Sequence, residues 1–273
     1  MNSFEFARSL FSRGTDFLDL GEISSALGIP LGYMPYFSQL PFSPDELRRA
    51  RELGQYLIFY TNKDRNGKPL TMKRLVDQFG NKLGDGDDCG KILCDLEERY
   101  KNDFFFNEDT PRPGWALVGR KLIPSSTDDL DYIDQTGCIS DYLVGEVYKG
   151  EELPEIYRQA VAEFESRKTE FKRRFSNDFN FSEIAKDLAN LKLNQFFREK
   201  PVEVLYGLIV YHVINRERLL SGKNTWTNHS SGGNLICVGT YNLGGMKVDG
   251  QDPVNSNSDR GVRFFRQAVP VVS

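Results

Sequence analysis

The chain has 273 residues, 27% of them charged and 39% hydrophobic, which is the balance of a globular chain and excludes a disordered one. The length suits one large domain or two small ones. A net charge of −4 and a pI of about 5.4 exclude a molecule drawn as a whole to nucleic-acid phosphates, so a nucleic-acid partner is not expected, though a local basic patch stays open.

The N-terminus, Met1 to Arg8, lacks the basic flank and apolar run of a secretory signal. Asp19–Leu27 reads as a short helix. Ile29 to Phe42 contains Pro30, Pro35 and Pro41 and reads as an irregular connection. Ser43-Pro44-Asp45-Glu46 supplies an N-cap, a proline at the first helical position and acids in the first turn, so a helix is predicted to about Glu52, stopping at Gly54. Tyr56–Thr61 is the clearest strand of this half. Asn62 to Gly67 imitates half a calcium loop, but Lys73 stands where a bidentate Glu is required, so a polar turn leading into a helix at Met72–Phe79 is expected. Asp85-Gly86-Asp87-Asp88 has Leu96 at the corresponding place, and Asp87 or Asp88 is expected to cap a helix through Tyr100.

Trp115–Val118 is a second strand, bounded by Pro113-Gly114 and Pro124. Ser125–Thr127 is expected to cap a helix from about Asp129 to Val147, broken near Gly137. Pro154 opens a long helix whose Tyr157, Val161, Phe164, Phe171 and Phe175 share one face. Its other face holds Arg167, Lys168, Lys172, Arg173 and Arg174, balanced by Glu163, Glu165 and Glu170. Ser182 is expected to cap a helix over Ile184–Arg198. Pro201 opens Val202–Leu220, the most apolar helix; its apolar run, Val202 to Ile214, contains Glu203 and His212 and is too short to span a membrane. His212 reads as a core histidine. The expected location is therefore the cytoplasm, with no membrane span.

From Ser221 to Arg260 no helical pattern remains. Leu235–Val238 and Met246–Val248 are short apolar strands, and Gly261–Arg266 closes a sheet. The fold class is α+β: helical N-terminal and middle regions with a small mixed or antiparallel sheet completed by the C-terminal strands. Leu57–Tyr60, Trp115–Val118, Leu235–Val238 and Val262–Phe265 are expected to share that sheet. The regions are 1–125, 126–220 and 221–273, packed as one or two domains.

No strong motif for chemistry is present. Cys89, Cys94, Cys138 and Cys237 do not have the spacing of a redox or zinc pair, and His212 and His229 do not complete a metal site. No Gly-x-Ser-x-Gly elbow, P-loop or dinucleotide fingerprint occurs, so no metal, cofactor or disulfide is expected. A hydrolase built on carboxylates remains an alternative, with Asp85, Asp87, Asp88, Asp128, Asp129 and Asp131 as its acids. A nucleic-acid binder using the Arg167–Arg174 face is another.

Pro41–Leu47, Pro111–Leu117, Val202–Tyr206, Asn234–Gly239 and Gly261–Arg266 resemble stretches of a family of uncharacterised proteins from candidate-phyla bacteria. The tail is also similar to the variable ends of retroelement-diversified proteins. That resemblance implies a C-type-lectin-like fold at the C-terminus, with hypervariable positions rich in Asn, Ser, Asp, Tyr, Thr and Arg. This chain departs from it in closing on Gly-Val-Arg-Phe rather than Gly-Phe-Arg.

Composition points the same way. Paratopes favour Tyr, Ser, Gly and Asn, since Tyr gives area at low entropic cost and small polar groups adapt their hydrogen bonds. Thr240, Tyr241, Asn242, Asp249, Gln251, Asn255, Ser256, Asn257, Ser258, Asp259 and Arg260 are the candidate binding residues, expected to meet an unknown protein or other ligand at the C-terminal surface.

Overall fold

The computed structural model describes residues 3–32, 40–80, 92–93, 96–177, 181–242 and 244–267, with backbone alone at Asn177 and Asn242. The expectations for Asp85–Asp88, Cys89 and Cys94 lie outside these residues. The chain is α+β, with two four-stranded sheets rather than one.

The first part contains α1 (Ser3–Leu10), β1 (Phe17–Leu18), α2 (Leu20–Leu27), α3 (Pro44–Glu52), β2 (Gln55–Tyr60) and α4 (Met72–Phe79). Helices this short are marginal alone and depend on caps and burial. Asp19 accepts from the N–H groups of Gly21 and Glu22, while Glu22 accepts from the N–H of Asp19. Ser43 and Glu46 form the same reciprocal box on α3, with Pro44 at its start. Every residue of β2 is buried, as expected of a strand covered on both faces.

Next come α5 (Glu98–Lys101), α6 (Phe104–Asn107), β3 (Gly114–Leu122), α7 (Tyr132–Tyr142), α8 (Glu155–Asn177), α9 (Phe181–Ala189), α10 (Lys192–Phe197) and α11 (Pro201–Asn215). Four boundaries differ from expectation. Ser125–Thr127 belong to a 3-10 turn, and Asp131 caps α7 by accepting from Asp134 N–H. Gly137 does not break α7, which runs through it, and a Cβ there would make only ordinary contacts with Lys168 and Phe164 of α8, at 3.4 and 3.9 Å. The irregularity falls later, as a π-helical turn at Leu143–Val147. The helix expected over Ile184–Arg198 is two helices, and α11 ends at Asn215 because Arg216 adopts a left-handed φ of 58°.

The last part is β4 (Asn224–Ser231), β5 (Asn234–Asn242), β6 (Gly245–Gln251), β7 (Arg260–Gly261) and β8 (Arg263–Gln267). The first sheet has the order β1-β2-β3-β8, the second β6-β5-β4-β7. The expectation of one shared sheet is thus overturned: Leu235–Val238 lies in the second sheet, while β8 pairs antiparallel with β3 in the first, Val118 opposite Phe265. The cause is a crossing at Gly261-Val262. Gly261 pairs with Thr225 of β4, and one residue on Val262 donates to Ser126 Oγ at 2.9 Å and accepts from Ile123 N–H at 2.8 Å. The chain therefore leaves one sheet and enters the other within two residues. A Cβ on Gly261 would stand 2.8 Å from Ser126 Oγ, so glycine permits the close approach.

β4 is rich in Asn, Thr and Ser and carries no apolar strand pattern. It is a strand because Trp226 fills one face, while Thr225 and Thr227 on the other find partners: Arg263 N–H donates to Thr225 Oγ1, and Thr227 Oγ1 donates to Ile236 O. The two faces of the second sheet serve two cores. Ile236, Val238, Met246 and Val248 join the core of the first sheet and α11. Trp226, Leu235 and Cys237 join the core of α7–α10. The helix α11 lies in the first of these cores, where Tyr206 donates to Phe59 O at 3.2 Å.

Candidate functional site

The loop between β6 and β7, Asp252 to Asp259, is folded by its own short polar side chains. Val254 N–H donates to Asp252 Oδ1, and Asp259 N–H donates to Asn257 Oδ1, both local turn bonds. Asn255 N–H reaches Asp252 O and Arg260 N–H reaches Asn257 O, each across three residues. Both ends are tied to the body. Tyr132 N–H donates to Pro253 O at 3.0 Å, and Asn224 N–H to Asp259 O at 2.8 Å. Lys223 Nζ donates to Ser258 O at 2.8 Å. Pro253 is buried, while Val254, Asn255, Ser256 and Ser258 face solvent.

The structure gathers most of the expected binding residues. Thr240, at a left-handed φ of 47°, donates its N–H to Lys223 O and its hydroxyl to Asn224 Oδ1. It therefore meets Ser258 and Asp259 through the Lys223-Asn224 corner. Asp249 and Gln251 lie on β6, joined by a bond from Gln251 Nε2 to Asp249 Oδ2. Lys247 Nζ stands 2.8 Å from Asp249, whose carboxylate lifts the Lys247 pKa above its ordinary value. Arg260 lays its guanidinium 5.6 Å from the Trp226 ring centre.

Tyr241 is not on this surface. It is 1% exposed, edge-on to His212 at 5.3 Å and under the Arg218 guanidinium at 5.5 Å. The β5 ladder is irregular between Gly239 and Asn242, and through that irregularity Tyr241 turns inward to the first core. The side chain of Asn242 lies outside the described residues. Cys237 is buried beneath Asp249, to whose carbonyl its thiol donates, and burial pushes that thiol up to about 12, so it stays protonated.

The other candidates meet different surroundings. Asp64 accepts from the N–H groups of Asn66 and Lys68 and pairs with Arg74, so the segment is a turn held by an arginine. On α8, Lys172 and Lys168 reach Asp134, and Arg174 and Arg167 reach Asp187, so most of that basic face is matched by acids of α7 and α9. Asp128 and Asp129 are exposed in the turn before α7, and Asp131 is engaged as its cap, its carboxyl raised by burial.

Sequence reasoning missed a seam of charged residues in the interior. Arg263 donates Nε to Glu199 Oε2 at 2.7 Å and Nη2 to Oε1 at 2.5 Å, with both side chains at most 1% exposed. Tyr60 OH also donates to Glu199 Oε1. Arg112 donates its backbone N–H and Nε to Glu203 Oε1 and its Nη2 to Oε2. Arg266 donates to Glu46 Oε1 and to the Tyr148 hydroxyl, both at 2.6 Å. Burial raises the Glu199 carboxyl against the pull of Arg263. Burial also raises Glu46, but the Arg266 charge and the Ser43 bonds outweigh it and leave that carboxyl below its ordinary value. The signal for the seam was Arg263 and Arg266 within a strand otherwise apolar, since a charge on a buried strand needs a buried partner.

No protein-family model, curated protein or solved structure matches the chain.

Proposed function

We propose that the chain is a non-enzymatic binding protein. Its recognition surface is the Asp252–Asp259 loop with Thr240, Asp249, Gln251 and Arg260 on its rim, and its ligand is a protein or another polar molecule. The observation that carries this reading is the division of labour within the loop. Backbone bonds and a buried Pro253 fix its course, while Asn255, Ser256 and Ser258 point outward with no part in the core. Small polar side chains on a fixed frame suit adaptable recognition. Val254, 43% exposed, adds an apolar contact at the centre of this polar surface. The same division would let a retroelement vary the loop without disturbing the body.

The test is binding to arrays of immobilised proteins and glycans by the wild type and by an Asn255→Ala/Ser256→Ala/Ser258→Ala variant. The expected result is a ligand held by the wild type and lost by a variant that melts at the same temperature. A ligand held equally by both proteins, or a variant that no longer folds, overturns the proposal.

A further inference from the structure

The turn between β2 and α4, together with α4 itself, concentrates positive charge. From Lys63 to Gln78 there are five cations, Lys63, Arg65, Lys68, Lys73 and Arg74, against two acids, Asp64 and Asp77, in a chain whose net charge is −4. An open groove of about 530 Å³ lies along this segment. Lys68, Thr71, Lys73 and Arg74 line it toward the start of α4, Asp77 and Gln78 toward its end, and α6 contributes Asn107.

Arg74 is held in one position. Its Nη1 donates to Lys68 O at 2.7 Å and Pro69 O at 3.1 Å, and its Nη2 donates to Asp64 Oδ2. Asp64 is fixed in turn by the N–H groups of Asn66 and Lys68. These bonds leave Arg74 Nε without a hydrogen-bond partner among the described residues. Thr71 Oγ1 accepts from Arg74 N–H, which leaves its own proton to donate. Lys68 is exposed and makes no ion pair among the described residues. Lys73 differs, because its ammonium stands 2.8 Å from Asp77 and neutralises that carboxylate. Two chemistries therefore share the groove. Near the start of α4, a preset guanidinium, an ammonium and a hydroxyl are donors suited to a phosphate group. Roughly 6 Å further along the helix, four residues at 1.5 Å each, Asp77, Gln78 and Asn107 supply the acceptors and donors that hydroxyl groups need.

We propose that this groove binds a small phosphorylated polyol of the size of a sugar monophosphate. Its phosphate lies against Lys68, Thr71 and Arg74, and its hydroxyl groups lie against Asp77, Gln78 and Asn107. The positive excess on this segment suits a phosphate monoester, which carries about two negative charges at neutral pH, better than a single carboxylate. The volume of the groove is that of a small-molecule site. The site shares no residue with the Asp252–Asp259 surface, so the two readings stand or fall separately.

Calorimetric titration of the full chain with glucose 6-phosphate, inorganic phosphate and glucose tests this. Glucose 6-phosphate is expected to bind most tightly, inorganic phosphate more weakly, and glucose not at all. Lys68→Gln, at an exposed position, should weaken both phosphates about tenfold, while Lys68→Arg should retain them. Gln78→Ala should weaken glucose 6-phosphate and leave inorganic phosphate unchanged. In the isotope-labelled wild type, the backbone amides that shift during the titration should cluster at residues 68–78 and at Asn107, a readout that needs no variant. Failure of both phosphates to bind, or equal affinity in the wild type and Lys68→Gln, overturns the proposal. So do shifts confined to the Arg167–Arg174 face or the Asp252–Asp259 loop. Inorganic phosphate bound as tightly as glucose 6-phosphate, the mark of an adventitious ion only, overturns it as well.

Discussion

Two neighbouring stretches of the chain carry polar residues to opposite fates. From Asp252 to Asp259 the polar side chains are short, those of Asp252 and Asn257 bond to the loop's own backbone, and none is buried. From Arg260 to Gln267 two long cations, Arg263 and Arg266, are 1% and 2% exposed, each against a carboxylate far away in sequence. Polarity alone does not set exposure. What decides is whether a distant element brings a partner that compensates the loss of water, and the crossing at Gly261-Val262 brings β8 to those partners.

The largest break in this contrast should come from the seam. Arg263→Met leaves Glu199 buried and unpaired and should cost about 3–5 kcal/mol in urea denaturation. Adding Glu199→Met should restore much of that, because an apolar pair of similar volume replaces an ion pair at little cost. If the double variant is no more stable than the single, the pair is not acting as a unit.

Gly239→Ala comes next, at about 3 kcal/mol. A Cβ there would run into the Lys223 carbonyl oxygen and stand 2.7 Å from Asn224 Cα, both backbone atoms of the corner that holds the loop. An alanine variant with an unchanged unfolding midpoint would show that this corner yields.

Third is acid. Because the Glu46 carboxyl is depressed in the folded chain, its contribution is complete above the unfolded value of about 4.3 and is lost as pH falls through the lower folded value. Glu46→Gln should cost about 2 kcal/mol at neutral pH and flatten the decline of the thermal midpoint below about pH 4. A variant whose acid decline matches that of the wild type would remove Glu46 from the account.

The smallest effect belongs to the loop. Asn255→Ala/Ser256→Ala/Ser258→Ala should leave stability within about 0.5 kcal/mol. Tyr241→Ala, from the same set of candidate residues, should cost about 3 kcal/mol or more, as aromatic core truncations do. Equal melting temperatures for these two variants would erase the distinction between surface and core at this end of the molecule.

Local signals were legible. The Ser43 cap, the Pro44 start with its acids and the apolar run at β2 each fix an element through neighbours in sequence, and α2, α3, β2 and α4 lie close to where they are expected. Elements whose identity depends on distant partners were not legible. β4 carries no apolar strand pattern, and its threonines are taken up by Arg263 N–H and Ile236 O. Leu235–Val238 and β8 both read as strands, but which sheet each joins is written in Ser126 and β3, far from either. Of the candidate site, the loop residues were recognisable from composition, whereas the inward turn of Tyr241 depends on an irregularity in β5 that no periodicity announces.

The crossing at Gly261-Val262 also bears on how the protein reaches its fold. β7 and β8 complete the order of both sheets, and β8 does so against a strand from the first half of the chain. Such distant pairings require large loop closures before they return any contact, which slows folding. The two sheets cannot be finished independently, because one short segment supplies a strand to each. Refolding should therefore show the last protection of backbone amides arriving together in β3 and β4, although the two strands belong to different sheets.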